Sequence, residues 1–304
     1  MTTATPDETA RTHLLATTNW LDAHHGDPDI RVVDMRGYVR STPVSPGVQD
    51  ATYSGAADDY AQGHIPSALY LDWTRDIVDL DDATPVQVAS AQRLATALGQ
   101  RGIGDEHLVV AYDAHPSSQF ATRLWWVLRY YGHERVVVLD GGLSKWLREG
   151  RPLTADVPVY PPVQFTPHPH PAWRTTGEAV LSSLETPGVR LVDARDPQQF
   201  DGSERRTGGR AGRIPGAVNI PRETMIDPTT GTFRPTQALH DAFAAVGVGK
   251  DDHVVAYCNG GMAATSVLFG LALAGYEDFS NYDGSWNEWG ARAEWPVETG
   301  PTAP

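Results

Sequence analysis

The sequence predicts an α/β protein built from two tandem copies of one domain, each a parallel sheet flanked by helices. Three observations carry that expectation: the length of the chain, an internal repeat, and short apolar runs that alternate with helical stretches. A chain of 304 residues is long for one domain and comfortable for two of roughly 150 each. Self-comparison shows the repeat directly. Val109-Val110-Ala111-Tyr112-Asp113 returns as Val254-Val255-Ala256-Tyr257-Cys258, an offset of 258 − 113 = 145. Val32-Val33-Asp34-Met35-Arg36 pairs with Leu191-Val192-Asp193-Ala194-Arg195, and His64-Ile65-Pro66-Ser67-Ala68 with Arg213-Ile214-Pro215-Gly216-Ala217. Asp140-Gly141-Gly142 with Trp146 pairs with Asp283-Gly284-Ser285 with Trp289. Four anchors in one order define a tandem duplication.

In the first half Arg31 to Val33, Leu108 to Tyr112 and Val136 to Leu139 read as strands; in the second, Arg190 to Val192 and His253 to Tyr257 do. Runs that are largely apolar imply burial on both faces, the mark of a parallel sheet. Ala89 to Gln100, Ala121 to Tyr131 and Ala263 to Ala274 read as the helices between them. Ala155 to Pro171 holds six prolines and reads as an extended connector. The expected division is therefore a first domain over 10–154, a linker over 155–172 and a second domain over 173–298. His168 and His170 lie in the connector without a third ligand nearby, so no metal site is expected there.

With 38 acidic against 24 basic residues the net charge is −14, which argues against a nucleic-acid or anionic-membrane partner. It does not argue against a small anionic substrate, since one local arginine outweighs a distant screened field. Met1 to Arg11 lacks the basic start and apolar core of a secretory signal, and the longest apolar run, Val267 to Ala274, is far shorter than a membrane span. A cytoplasmic protein is expected. The single cysteine, Cys258, cannot form an intramolecular disulfide; it is either an inert buried thiol or a reactive one.

Its neighbours favour reactivity. Cys258 directly follows the strand His253 to Tyr257 and precedes Asn259-Gly260-Gly261-Met262, after which a helix begins. Ligands in parallel sheets bind beyond the carboxyl ends of strands. Two consecutive glycines let the backbone curl so that several N–H groups point at one spot, and the helix start adds unsatisfied donors. Such a loop is expected to favour the thiolate and to hold the outer sulfur of a persulfide. The equivalent position in the first half is Asp113, followed by Ala114-His115-Pro116-Ser117, with neither thiol nor glycine. That copy is expected to be catalytically inactive and to form one wall of a cleft.

Taken together these segments resemble the tandem-domain rhodanese family, the thiosulfate and 3-mercaptopyruvate sulfurtransferases. The pieces that carry the likeness are Val192-Asp193-Ala194-Arg195, Gly212 to Ala217, Tyr257 to Ala264 and Tyr282 to Trp289, and the similarity runs from about His13 to Val297. The resemblance implies two rhodanese-like domains, the second active. It implies Cys258 as nucleophile, Arg195 as the residue that holds the anionic end of the donor, and Asn259, Gly260, Gly261, Met262, Ala263 and Ala264 as the substrate-binding loop. A surface arginine paired with Asp193 or Asp196 is the alternative reading of Arg195. His64 is a weaker candidate, equally suited to a structural role.

The loop departs from both subtypes. Two basic residues usually follow the cysteine in thiosulfate-type loops, where this chain has Asn259 and Gly260; mercaptopyruvate-type loops usually carry a serine at the position of Gly260, and the family's usual threonine near the loop end is Ala263 here. The missing serine tilts the expectation to thiosulfate as donor, with cyanide or a thiol as acceptor, no cofactor and no metal. The alternatives are a 3-mercaptopyruvate sulfurtransferase and a persulfide carrier or redox-sensing module without turnover. A cysteine phosphatase would need an arginine six residues after the cysteine, and that residue is Ala264. Gly102-Ile103-Gly104 and Gly208-Gly209-Arg210 lack the rest of a nucleotide-binding motif and read as turns. Trp125-Trp126 read as core or interface.

Overall fold

The computed structural model describes residue 11 and residues 13–301. The reading of the N-terminus as free of a leader falls mostly on residues 1–10, outside the described residues. The first half contains β1 (Leu15–Ala16), α1 (Thr18–His24), β2 (Ile30–Asp34), β3 (Gly37–Ser45), β4 (Val48–Gly55), α2 (Ala57–Gln62), β5 (Ala68–Tyr70), α3 (Ala91–Gly99), β6 (Leu108–Tyr112), α4 (Gln119–Tyr130), β7 (Val136–Leu139) and α5 (Gly142–Arg148). The second contains β8 (Arg174–Thr175), α6 (Gly177–Ser183), β9 (Val189–Asp193), α7 (Pro197–Asp201), β10 (Arg205–Arg206), β11 (Val218–Asn219), α8 (Thr236–Ala244), β12 (His253–Tyr257), α9 (Ala264–Leu273), β13 (Phe279–Tyr282) and α10 (Ser285–Trp289).

Each half forms a five-stranded parallel sheet, in the order β1-β7-β6-β2-β5 and, position for position, β8-β13-β12-β9-β11. The duplicated sequence thus yields a duplicated topology. All five residues of β2 are buried, as are four of the five in β6 and in β12, which is why these strands read as apolar rather than alternating. In both halves the strand that precedes the loop of interest is central, β6 before Asp113 and β12 before Cys258.

The halves share one core. Helix α4 packs on α9, with Trp125 edge-on to Phe269 at 4.9 Å and Thr122 Oγ1 bonded to Thr265 Oγ1 at 3.1 Å, and one buried apolar cluster runs through both. Residues 155–170 carry neither helix nor strand and are held to the first half through backbone bonds such as His168 N–H to the Tyr131 carbonyl at 2.8 Å. No helix among the described residues is long and apolar enough to cross a membrane.

One feature was not legible in the sequence. Strands β3 and β4 form an antiparallel hairpin, and β10 of the second half adds to it in parallel, Arg205 opposite Val48 and Arg206 opposite Gln49. The result is a small three-stranded sheet, β10-β4-β3, that ties the halves together beside the cleft. Most of β3 is exposed and Pro43 interrupts its register, so the period-2 apolar signal that announces a strand is weak.

Candidate active site

Cys258 emerges from β12 with only 3 % of its surface exposed. Ser285, at the start of α10, shapes the loop that follows. Its Oγ accepts from the N–H of Cys258 at 3.0 Å and of Gly261 at 2.9 Å, and donates to the Tyr282 carbonyl at 2.8 Å. Gly261 sits at φ +71°, and a Cβ there would lie 2.7 Å from Asp283 Oδ1, so only glycine fits this turn without displacement. A Cβ on Gly260 would lie 2.5 Å from a methyl of Val86, which the first half places over the loop. The amides of Asn259, Gly260, Met262, Ala263 and Ala264 donate to no acceptor among the described residues. Gly261 departs from the expected ring of sulfur-facing donors, because its amide is already spent on Ser285.

A buried ion pair anchors this loop to the first half. Arg123 of α4 donates to Asp283 Oδ1 at 2.6 Å, to the Gly261 carbonyl at 3.2 Å and to the Val86 carbonyl at 3.2 Å; Asp283 Oδ2 accepts from the Val88 N–H at 2.8 Å. Both side chains are all but solvent-free. Loop shape therefore depends on residues of both copies.

Cys258, Asn259, Gly260, Met262 and Ala263 line a cleft with a cavity of about 110 Å³, whose opposite wall comes from the first half: Val39, Ser41 and Tyr53 of the hairpin, with Trp73, Val86, His115 and Gln119. Of the expected loop residues, Gly261 and Ala264 lie outside that lining. Arg195 lines the cleft and is 2 % exposed, so it is not a surface arginine. Its Nε and Nη2 are bonded to Asp193, with Nη2 to Oδ2 at 2.6 Å, and Nη2 also reaches the Gly212 carbonyl at 2.7 Å. Trp286 packs on the guanidinium at 4.4 Å. Only Nη1 is left without an acceptor among the described residues.

Two further arginines of the cleft were missed by sequence reasoning. Arg206 of β10 reaches the Tyr53 hydroxyl, and its Nε is buried with no acceptor. Arg222 pairs loosely with Asp196 at 3.6 Å and closely with Glu223 at 2.9 Å, and its Nε is likewise buried without an acceptor. Neither sits beside the cysteine or in an anchor of the repeat, so no local signal marked them. Ser285 was within reach: the repeat pairs it with Gly142, which takes φ +53° where Ser285 takes φ +51°. A serine in a position that suits glycine is a signal that its hydroxyl is used.

Asp113 fills the equivalent place in the first half. Without glycine that loop still gathers amides, but they are occupied: the carboxylate accepts from the N–H groups of His115 at 2.9 Å, Phe120 at 2.8 Å and Ala121 at 2.9 Å. Burial pushes the Asp113 carboxyl up to about 7 against the pull of those amides. His115 is held neutral, its pKa pushed down to about 4 by burial and by the nearby Arg222 guanidinium. His64 is far from this chemistry, fully buried and stacked on Tyr60 at 4.0 Å. Among the described residues no three His, Cys, Asp or Glu side chains gather to hold a metal.

Comparison with known proteins agrees with this fold. A family model described as a rhodanese-like domain matches twice, over residues 17–149 and 176–292. The chain is 33 % identical over 306 residues to the sulfur carrier protein TtuD of Thermus thermophilus, covering 96 % of this chain and 98 % of the relative. It is 34 % identical over 286 residues to the 3-mercaptopyruvate sulfurtransferase of Escherichia coli, covering 92 % and 96 %. The crystal structure of SseA, a 3-mercaptopyruvate enzyme of Escherichia coli described as having the rhodanese fold, superposes with a TM-score of 0.77 at 27 % identity, over 90 % of this chain and 98 % of that one.

Proposed function

Because the chain belongs to the tandem-domain rhodanese family of sulfurtransferases, we propose that it moves a sulfane sulfur from thiosulfate, through a persulfide on Cys258, to cyanide or a thiol. The observation that carries this reading is the buried sulfur of Cys258 at the mouth of a loop with five uncommitted amides, in a cleft that also holds buried, unpartnered guanidinium N–H groups.

The Cys258 thiolate attacks the outer sulfur of thiosulfate. A bond forms between Sγ and that sulfur, the bond to the sulfonate sulfur breaks, and sulfite leaves with the electron pair. The loop amides receive the charge of the persulfide, and Arg206 and the free Nη1 of Arg195 receive the oxygens of the donor and of departing sulfite. Cyanide or a thiolate then takes the outer sulfur, and the thiolate of Cys258 returns. The step uses no cofactor, and a reducing cytoplasm would keep the thiol available.

Thiosulfate suits this cleft better than 3-mercaptopyruvate. Sulfite departs as a dianion and needs cations rather than a proton, whereas pyruvate departs as an enolate that must be protonated. Guanidinium groups abound here; the neutral imidazole of His115 is a poor acid, and a glycine stands where the mercaptopyruvate-type serine would be. Intact-mass measurement after incubation with thiosulfate should show a gain of one sulfur that cyanide removes catalytically, and Cys258→Ser should show none. A stable adduct without turnover would point to a carrier, and faster turnover with 3-mercaptopyruvate would overturn the assigned donor.

A further inference from the structure

The cleft is larger in function than thiosulfate requires. Its sulfonate end can be met by Arg195 and Arg206, yet the facing wall carries two more polar side chains with unpartnered atoms. Gln119, at the start of α4, is 4 % exposed and lines the cleft, and its side-chain amide has no partner among the described residues. His115 is the other. The Ser117 N–H donates to its Nδ1 at 3.2 Å, so Nδ1 is an acceptor, and a ring kept neutral by burial must carry its proton on Nε2. That Nε2–H has no acceptor among the described residues.

Arg222, from the second half, lines the same cleft close enough to disfavour the charged form of His115, and its buried Nε–H is also unused. Arg222 pairs with Glu223 at 2.9 Å and with Asp196 only at 3.6 Å; both carboxylates are about half exposed, so solvent screens them, and the Nε–H is committed to neither. The Nε–H of Arg222 is a buried donor left unmade, and two further side chains with unpartnered polar atoms line the same cavity, which indicates a ligand group that satisfies them. All three groups can donate, which selects an oxygen-rich anion. They come from both halves, which selects a ligand that spans the cleft with its other end at Cys258.

We propose that Arg222, His115 and Gln119 form an acceptor subsite for the carboxylate of a small mercaptocarboxylate, whose sulfur is thereby aimed at the Cys258 persulfide. The inference rests on the persulfide chemistry above and deepens it by naming the acceptor class. The thiol loses its proton to solvent and its sulfur bonds to the outer sulfur of the persulfide. The bond from that sulfur to Sγ breaks, the electron pair returns to Sγ as thiolate, and the acceptor leaves as its own persulfide anion. Neither oxidant nor reductant is consumed.

The test separates the two half-reactions. With thiosulfate as donor, turnover is measured with 3-mercaptopropionate, with neutral 2-mercaptoethanol and with cyanide, for the native protein, Arg222→Gln, Arg222→Lys and His115→Phe. The expected result is a KM for 3-mercaptopropionate raised about tenfold in Arg222→Gln and by a smaller factor in His115→Phe, since a hydrogen bond to a charged group is worth about 1.5–3 kcal/mol. Arg222→Lys should recover part of the loss, and the KM for 2-mercaptoethanol should hold within about twofold in every variant. Equal losses with both thiols would mean a structural role and overturn the subsite, as would an unchanged KM for 3-mercaptopropionate. If the native protein takes up no sulfur from thiosulfate, the donor reading fails first. Loading by 3-mercaptopyruvate then lets the same acceptor comparison be made.

Discussion

Ser285 and Gly261 hold the loop after Cys258 from two sides, one by its hydroxyl and one by its missing side chain. Ser285→Gly is the informative change, because Gly142 adopts the same backbone conformation in the first half and no strain is introduced. The fold should survive, while two amide donors, of Cys258 and Gly261, lose their acceptor. Persulfide formation from thiosulfate should slow by about tenfold, the kinetic weight of about one such bond; a native single-turnover rate would show that the hydroxyl does not shape the loop. His115 carries a pH signature. Its folded pKa is pushed down to about 4 from an ordinary 6.5, so its contribution to stability is present above pH 6.5 and is lost as the pH falls from there toward 4, where the unfolded chain binds the proton and the folded one does not. Asp113, raised to about 7, acts with the opposite sign over an overlapping range and is common to both proteins. Against His115→Gln, the native protein should therefore lose stability faster in urea titrations between pH 6.5 and 4; parallel curves would refute the buried neutral ring.

Elements meet at the α4–α9 contact, and Arg123 is its polar centre. One guanidinium holds the Asp283 carboxylate and the carbonyls of Gly261 and Val86, so α4 of the first half sets the shape of a loop in the second. Removing one member of a buried pair strands the other, at a cost of about 3–5 kcal/mol. Arg123→Met should destabilise by that amount in urea and lower the rate of persulfide formation in whatever protein stays folded. A loss below about 1 kcal/mol would mean that the pair does not organise the contact. Val86, at φ +61°, is a β-branched residue in a left-handed conformation that such residues rarely adopt, and it covers Gly260 from the far side. The first half is thus a template for the loop after Cys258 as well as a wall of the cleft.

At the scale of the whole molecule, one apolar cluster and the three-stranded β10-β4-β3 sheet cross between the halves. Thermal unfolding should accordingly be a single transition with equal calorimetric and van't Hoff enthalpies; two separated transitions would show that the halves are energetically independent. Much of this architecture was legible in the chain. The repeat anchors, the central strands and the loop from Cys258 to Ala264 are contiguous, and local periodicity and turn chemistry act over just such short spans. The hairpin was hidden because exposed polar residues and Pro43 erase its alternation, and the pairing of Arg195 with Asp193 was expected only of a surface residue, whereas the paired side chain is buried in the cleft. Residues 206, 222, 115 and 119 carry no shared mark along the chain. They become one site only when two sheets dock, because hydrogen-bond saturation and burial depend on partners tens to hundreds of residues away. Short-range order therefore sufficed to single out Cys258 and the loop that follows it, whereas long-range packing chose which charges around them remain without a partner.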